Sequence, residues 1–149
     1  MSLVAIVGGG PAGLMAAEVL AETGAAAVHL YDAMPSVGRK FLLAGKGGLN
    51  LTHSEALPAF IERYGSRRTD VARWLEVFSP QALRDWAQAL GVDTFVGSSG
   101  RVFPTDLKAA PFLRGWVRRL RAQGVRFHVQ HRFTGWRDDG ALAFSTPQG

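Results

Sequence analysis

The stretch Val4-Ala-Ile-Val-Gly-Gly-Gly-Pro-Ala-Gly-Leu-Met-Ala-Ala17 runs from an apolar strand, through a glycine cluster, straight into a helix-forming segment. Its glycines at 8, 10 and 13 have the spacing GxGxxG, and Asp32 closes a second apolar run, Val28-His-Leu-Tyr-Asp32. Strand, glycine turn, helix, strand and acidic residue follow one another as a dinucleotide-binding βαβ unit requires. Each position has a physical task. Gly8 turns the chain sharply out of the strand, and Gly10, without a Cβ, lets backbone approach a pyrophosphate. Gly13 allows the helix to pack closely on the strand. The free N–H groups and positive dipole end of the helix then face the phosphates. Asp32 accepts hydrogen bonds from ribose hydroxyls and repels a 2′-phosphate. The unit by itself does not distinguish FAD from NAD, because both bring an ADP half to the same turn.

Composition narrows the classes. A chain of 149 residues fits one domain, and 47% hydrophobic residues are enough for a packed core. No cysteine is present, which excludes disulfides, thiolate catalysis and cysteine-ligated metals within the chain. The first apolar run stops at Gly8 with no basic region before it, the pattern of neither a signal peptide nor a membrane span. A cytoplasmic protein is the expectation. The net charge of +5 comes mainly from a late arginine cluster, Arg114, Arg118, Arg119, Arg121, Arg126, Arg132 and Arg137. Few aromatics interleave it, so a solvated face is expected rather than a nucleic-acid surface.

Along the chain, the first βαβ unit covers residues 2–32, and 33–52 is a long connection with little periodicity. Asp70–Phe78 has helical spacing, with Val71, Trp74, Leu75 and Phe78 on one face. Ser79-Pro80 starts a further helix as N-cap and first helical residue, and Gly91 stops it. Val92–Val96 and Arg101–Phe103 flank a glycine turn as a hairpin. A longer helix spans 108–123, and three β-rich pieces follow at 125–129, 131–137 and 141–146. Asp138-Asp-Gly140 is the turn between the last two. Trp74, Trp86, Trp116 and Trp136 fall at core-like positions. The order predicts an α/β, Rossmann-like, three-layer domain with a parallel sheet and a small antiparallel section.

The connection contains Gly38-Arg-Lys40, and then Ala44-Gly-Lys-Gly-Gly-Leu-Asn-Leu-Thr-His53. Together with the first fingerprint, it resembles a bacterial family of FAD/NAD(P)-dependent oxidoreductases, aminoacetone-oxidase-like flavoproteins with bile-acid-reductase relatives. Gly100-Arg-Val-Phe-Pro104, Lys108-Ala109 and Gly124-Val125 fit the same pattern, so the resemblance spans essentially the whole chain. Leu49 stands where many relatives carry cysteine, which marks a leucine-bearing subgroup. Family members are longer, so the expectation is that residues 1–149 are the N-terminal FAD/NAD(P)-binding part of a larger flavoprotein, incomplete at its C-terminus and inactive alone.

The resemblance implies FAD as cofactor, with NAD(P)H or a small-molecule substrate exchanging electrons with it. Gly8, Gly10, Pro11, Ala12 and Gly13 would hold the pyrophosphate, Asp32 the ribose, and Ala33 would line that pocket. Gly38, Arg39 and Lys40 would meet phosphate or ribityl oxygens. Gly45, Gly47 and Gly48 would let backbone approach the flavin, with Asn50 and Thr52 hydrogen-bonding nearby. The backbone at Phe133 would flank the adenine, although plain core is the stronger reading of this residue. No catalytic residue is assigned, and no metal site is expected from His29, His53, His128 or His131; His53, beside the second glycine stretch, is the one histidine to consider for proton transfer, and a structural role is the stronger reading. Two alternatives remain: a single-cofactor NAD dehydrogenase, and a flavin-containing protein that binds or modifies RNA through the arginine cluster. Neither a membrane nor a nucleic acid is the expected partner, and self-association is plausible through exposed apolar surface.

Overall fold

The computed structural model describes residues 2–149. The chain opens with β1 (Ser2–Val7), α1 (Pro11–Thr23), β2 (Ala26–Tyr31) and α2 (Arg39–Ala44). Next come β3 (Thr52–His53), α3 (Leu57–Glu62), α4 (Arg68–Val77), α5 (Pro80–Ala89), β4 (Thr94–Val96) and β5 (Arg101–Pro104). It continues with α6 (Ala109–Ala122), β6 (Arg126–His128), β7 (Arg132–Trp136) and β8 (Leu142–Ser145). Two compact units result, one from Met1–Leu43 with Trp116–Gly149 and one from Ala44–Gly115.

In the first unit β1, β2 and β6 form a parallel sheet in the order β1-β2-β6. The side chains of β2 alternate as strand geometry demands. Val28 and Leu30 are buried on the face where α1 packs, together with Leu14 and Ala17. His29 and Tyr31 point to the other face, where Phe144 of the β7–β8 hairpin stacks on the Tyr31 ring at 4.4 Å. Helix, parallel sheet and antiparallel hairpin are therefore three layers of this unit, a Rossmann arrangement. Gly24, in the left-handed conformation (φ 62°), ends α1, as a C-terminal glycine does.

The second unit carries an antiparallel sheet, β3-β5-β4, with helices α3, α4 and α5 and the first residues of α6. Leu49, Val71, Ala87, Val102 and Phe112 are among its buried residues, and Trp86 packs against Phe112 at 5.4 Å. The side chain of Ser79 accepts from the Ala82 N–H at 3.1 Å, which fixes the start of α5 where the sequence places it.

Several expectations need correction. Residues 33–52 hold α2 and a 3-10 turn over Gly45–Gly47, not an irregular connection. The run Arg39-Lys-Phe-Leu-Leu-Ala44 is built of good helix formers but is too short to display a period. Trp74 and Trp136 are not core residues; they stand 68% and 73% exposed. Phe133 is likewise exposed, because its strand belongs to a two-stranded hairpin and meets Trp136 and Phe144 edge-on at the surface. The first of the three β-rich pieces, β6, joins the parallel sheet beside β2. Among the described residues no helix is long and apolar enough to cross a membrane.

Candidate functional site

The glycine turn of the first unit has the geometry its residues dictate. Gly8 takes φ +108° and donates its N–H to the Tyr31 carbonyl at 2.8 Å, tying the turn to β2. A Cβ on Gly13 would collide with the Gly8 carbonyl oxygen, so only glycine lets α1 start this close to the strand. Gly10 is the N-cap of α1, in extended conformation, and Pro11 is the first helical residue. No side chain caps this end. The N–H groups of Ala12 and Gly13 therefore lack both an intrahelical carbonyl and a capping oxygen. The space in front of Gly10 is open, with nothing within 4 Å of where a Cβ would stand. An uncapped helix end beside open space is suited to anionic oxygens.

Asp32 faces this turn. Its Oδ2 accepts from the Gly9 N–H at 2.8 Å and its Oδ1 from the Met34 N–H at 2.8 Å. Each oxygen keeps a second lone pair for a ligand hydroxyl. Ala33 follows, half-buried. The Asp32 backbone is bracketed as well: its N–H donates to the His128 carbonyl at 2.9 Å, and its carbonyl accepts from the His131 N–H at 2.9 Å.

Gly9 is a site residue that sequence reasoning passed over. A Cβ there would lie 2.8 Å from Asp32 Oδ2 and would run into Val37, and its carbonyl accepts from the Gly38 N–H at 2.7 Å. The signal was present: the run Gly8-Gly9-Gly10 holds one glycine more than the fingerprint needs. Gly38, buried at φ +70°, leads directly into Arg39 and Lys40, both exposed at the start of α2. Phe133 belongs to the same unit and touches the Phe144 ring at 5.8 Å.

Gly45, Gly47, Asn50 and Thr52 lie in the second unit. Gly45 is a packing glycine, since a Cβ would meet Ala109, whereas the space at Gly47 is open. The Asn50 amide donates to the carbonyls of Thr52 (2.9 Å) and Val102 (3.2 Å), leaving its Oδ1 available. Thr52 pairs with Val102 in the sheet. Leu49 is buried, and its N–H donates to the Leu107 carbonyl at 3.2 Å. Both nitrogens of His53 are engaged: Nδ1 accepts from the Glu55 N–H at 3.1 Å and Nε2 donates to the Ser99 carbonyl at 3.0 Å. These two bonds fasten the loop that carries His53 to the 97–101 turn.

The arginine cluster is less uniform than the sequence suggests. Arg119 turns to Glu18, a carboxylate buried in α1, at 2.5 Å, and the Trp116 indole N–H donates to the other Glu18 oxygen at 2.6 Å. Arg137 pairs with Asp139 at 3.6 Å, and Arg121 lies over the Phe127 ring. Arg114, Arg118, Arg126 and Arg132 are exposed.

Comparison with known proteins agrees with this architecture. The family model described as the HI0933-like protein Rossmann domain matches residues 2–149. The 3-dehydro-bile acid delta(4,6)-reductase of Clostridium scindens is 31% identical over 131 residues, which cover 87% of this chain and 31% of the reductase. Among solved structures, Thermovibrio ammonificans THI4 superposes with a TM-score of 0.55 at 18% identity, over 96% of this chain and 45% of that one. An open conformation of a flavocytochrome c3 fumarate reductase superposes with a TM-score of 0.62 at 19% identity, over 95% of this chain and 29% of that one. The chain thus spans less than half the length of each of these proteins.

Proposed function

Because this chain belongs to the family of HI0933-like Rossmann domains, we propose that it is the dinucleotide-binding lobe of an FAD-dependent oxidoreductase. The observation that carries this reading is the Asp32 carboxylate, pinned by the Gly9 and Met34 N–H groups beside the uncapped start of α1. An anion-binding helix end and a hydroxyl-binding carboxylate on adjacent strands suit the pyrophosphate and ribose of an ADP moiety. The residues fit the group: open space at Gly10 admits a phosphate, and Gly8 and Gly13 provide the turn. FAD is favoured over NAD by the likeness to a bile-acid reductase and by the flavocytochrome among the structural relatives.

Bound flavin supplies the redox chemistry by accepting or releasing a hydride equivalent, while the chain binds and orients it. In this reading Gly8, Gly10, Pro11, Ala12 and Gly13 hold the pyrophosphate through backbone. Asp32 holds the ribose, with Ala33 beside it and Phe133 toward the adenine. Gly38 places Arg39 and Lys40 to meet phosphate or ribityl oxygens. The open backbone at Gly47 and the spare Oδ1 of Asn50 support flavin contacts for the second glycine stretch, with Gly45 and Thr52 shaping it. The electron partner is NAD(P)H or a small-molecule substrate.

The test is a fluorescence titration of FAD with the chain, with circular dichroism to confirm folding. Saturable binding, displaced by ADP and weakened about tenfold by Asp32→Ala, is the expected result. Tight binding of NAD with none of FAD would replace this reading with a single-cofactor dehydrogenase.

A further inference from the structure

Behind Asp32, on the sheet face away from α1, lies a group of rings that includes three histidines. His29 and Tyr31 of β2 project there with His128 of β6, His131 of the following turn and Phe144 of β8. The Tyr31 ring is sandwiched, stacking on His128 at 4.5 Å and on Phe144 at 4.4 Å. His128 Nε2 and His29 Nδ1 are 3.1 Å apart, a hydrogen bond that needs one proton between the two nitrogens. His131 donates Nδ1–H to the Val129 carbonyl at 2.8 Å.

This cluster touches the proposed ribose site through backbone. The residues that carry its rings also supply the bracket on Asp32: the His128 carbonyl accepts from Asp32, and the His131 N–H donates to Asp32. The Gln130 N–H adds a bond to the Met34 carbonyl at 3.0 Å. Met34 N–H in turn holds Asp32 Oδ1. Whatever keeps the 128–131 turn seated therefore keeps the carboxylate in place.

We propose that His29 and His128 are positioning residues for Asp32, and that their hydrogen bond makes the grip on a dinucleotide ribose sensitive to acid. The proposal rests on the dinucleotide reading above. One added proton leaves the bond intact, because a cationic ring still donates to a neutral one. Two added protons put an N–H on each facing nitrogen and two like charges 3.1 Å apart. The His128 ring is then driven from its stack, the turn loosens, and Asp32 loses its bracket.

The charged and titratable surroundings point the same way. His29, Tyr31 and Asp32 lie on or at the end of β2, Arg126 on the same strand as His128, and His131 and Arg132 just beyond it. The neighbour from β8 is the uncharged Phe144. Burial holds His128 below the ordinary imidazole value, with His29, His131 and Arg126 adding to the effect. A lowered value in the folded state means that the fold favours the neutral ring. Its contribution to stability is complete above the ordinary imidazole range and is lost as pH falls through the lowered value.

The experiment begins with the chain free of nucleotide, followed by NMR from about pH 8 to about pH 5, the window in which imidazoles titrate. The backbone amides of Asp32, His131 and Gly9 are expected to shift with the His128 imidazole midpoint. In His29→Phe and in His128→Phe, two independent variants, that transition disappears. Amides of Asp32 and His131 that stay still through the titration, or that move unchanged in both variants, overturn the proposal whether or not a dinucleotide binds. FAD, which has no group titrating in this window, then reports the consequence. The ratio of its affinity at about pH 7.5 to that at about pH 5.5 should be about tenfold in the wild type and about twofold or less in His29→Phe. Failure to bind FAD at any pH would remove the dinucleotide reading while leaving the amide result to decide the coupling.

Discussion

At the scale of single residues, Glu18 shows how much a fold can hide. It sits in the Ala-Ala-Glu-Val segment of α1, where a lone carboxylate suggests the solvent face of a helix. It is instead 2% exposed, held by the Trp116 indole N–H and the Arg119 guanidinium. Those partners lie 98 residues or more along the chain, so no local pattern could announce them. Glu18→Ala removes one buried acceptor from each donor and should lower unfolding stability by about 3 kcal/mol in urea titrations. Glu18→Gln, which still accepts from the indole, should lose less. A loss below about 1 kcal/mol for the alanine variant would reduce the ion pair to a surface contact. The fingerprint glycines were legible because each follows from backbone sterics, and the position of Asp32 because it closes the strand beside the glycine turn. Gly9 was not singled out, because its role depends on where Asp32 and Val37 come to rest.

At the scale of elements, caps and turns set by neighbouring residues were legible, whereas the short α2 and the long-range pairings were not. Ser79 and Pro80 mark the start of α5 because a capping hydroxyl and a fixed φ act within one turn. Replacing the cap, Ser79→Ala, should cost about 1 kcal/mol in thermal or chemical unfolding, and no change would mean that another group satisfies the Ala82 N–H. The hairpins β4–β5 and β7–β8 were legible from their glycine turns. The partner of β6 was not, because a short apolar strand looks the same whether it pairs in parallel or antiparallel. The exposure of Trp74 and Trp136 escaped for a related reason: helical or strand spacing shows that residues share a face, not that the face is covered.

At the scale of the molecule, the order β1-β2-β6 puts β1 at an edge among the described strands. Ser2–Val7 carries no charge, proline or bulge to blunt it, and Leu3 and Val7 are 63% and 49% exposed. Such an edge pairs with other strands. The chain is expected to self-associate reversibly in sedimentation experiments at about 100 µM, and Leu3→Lys should return it to monomer. Association unaffected by that change would place the contact elsewhere. The Rossmann class was readable from the strand–glycine–helix–strand series alone, whereas the division into two units depends on pairings far apart in sequence. That division also has an order in time. The second unit is one continuous stretch, but the first is split around it, and its His29–His128 bond joins residues 99 apart. During synthesis from the N-terminus, the inserted unit has all its residues before β6 exists. The bonds that brace Asp32 from residues 128–131 can therefore form only after the inserted unit has been made. A nascent chain that already shows the complete glycine fingerprint would still lack the brace on the carboxylate beside it.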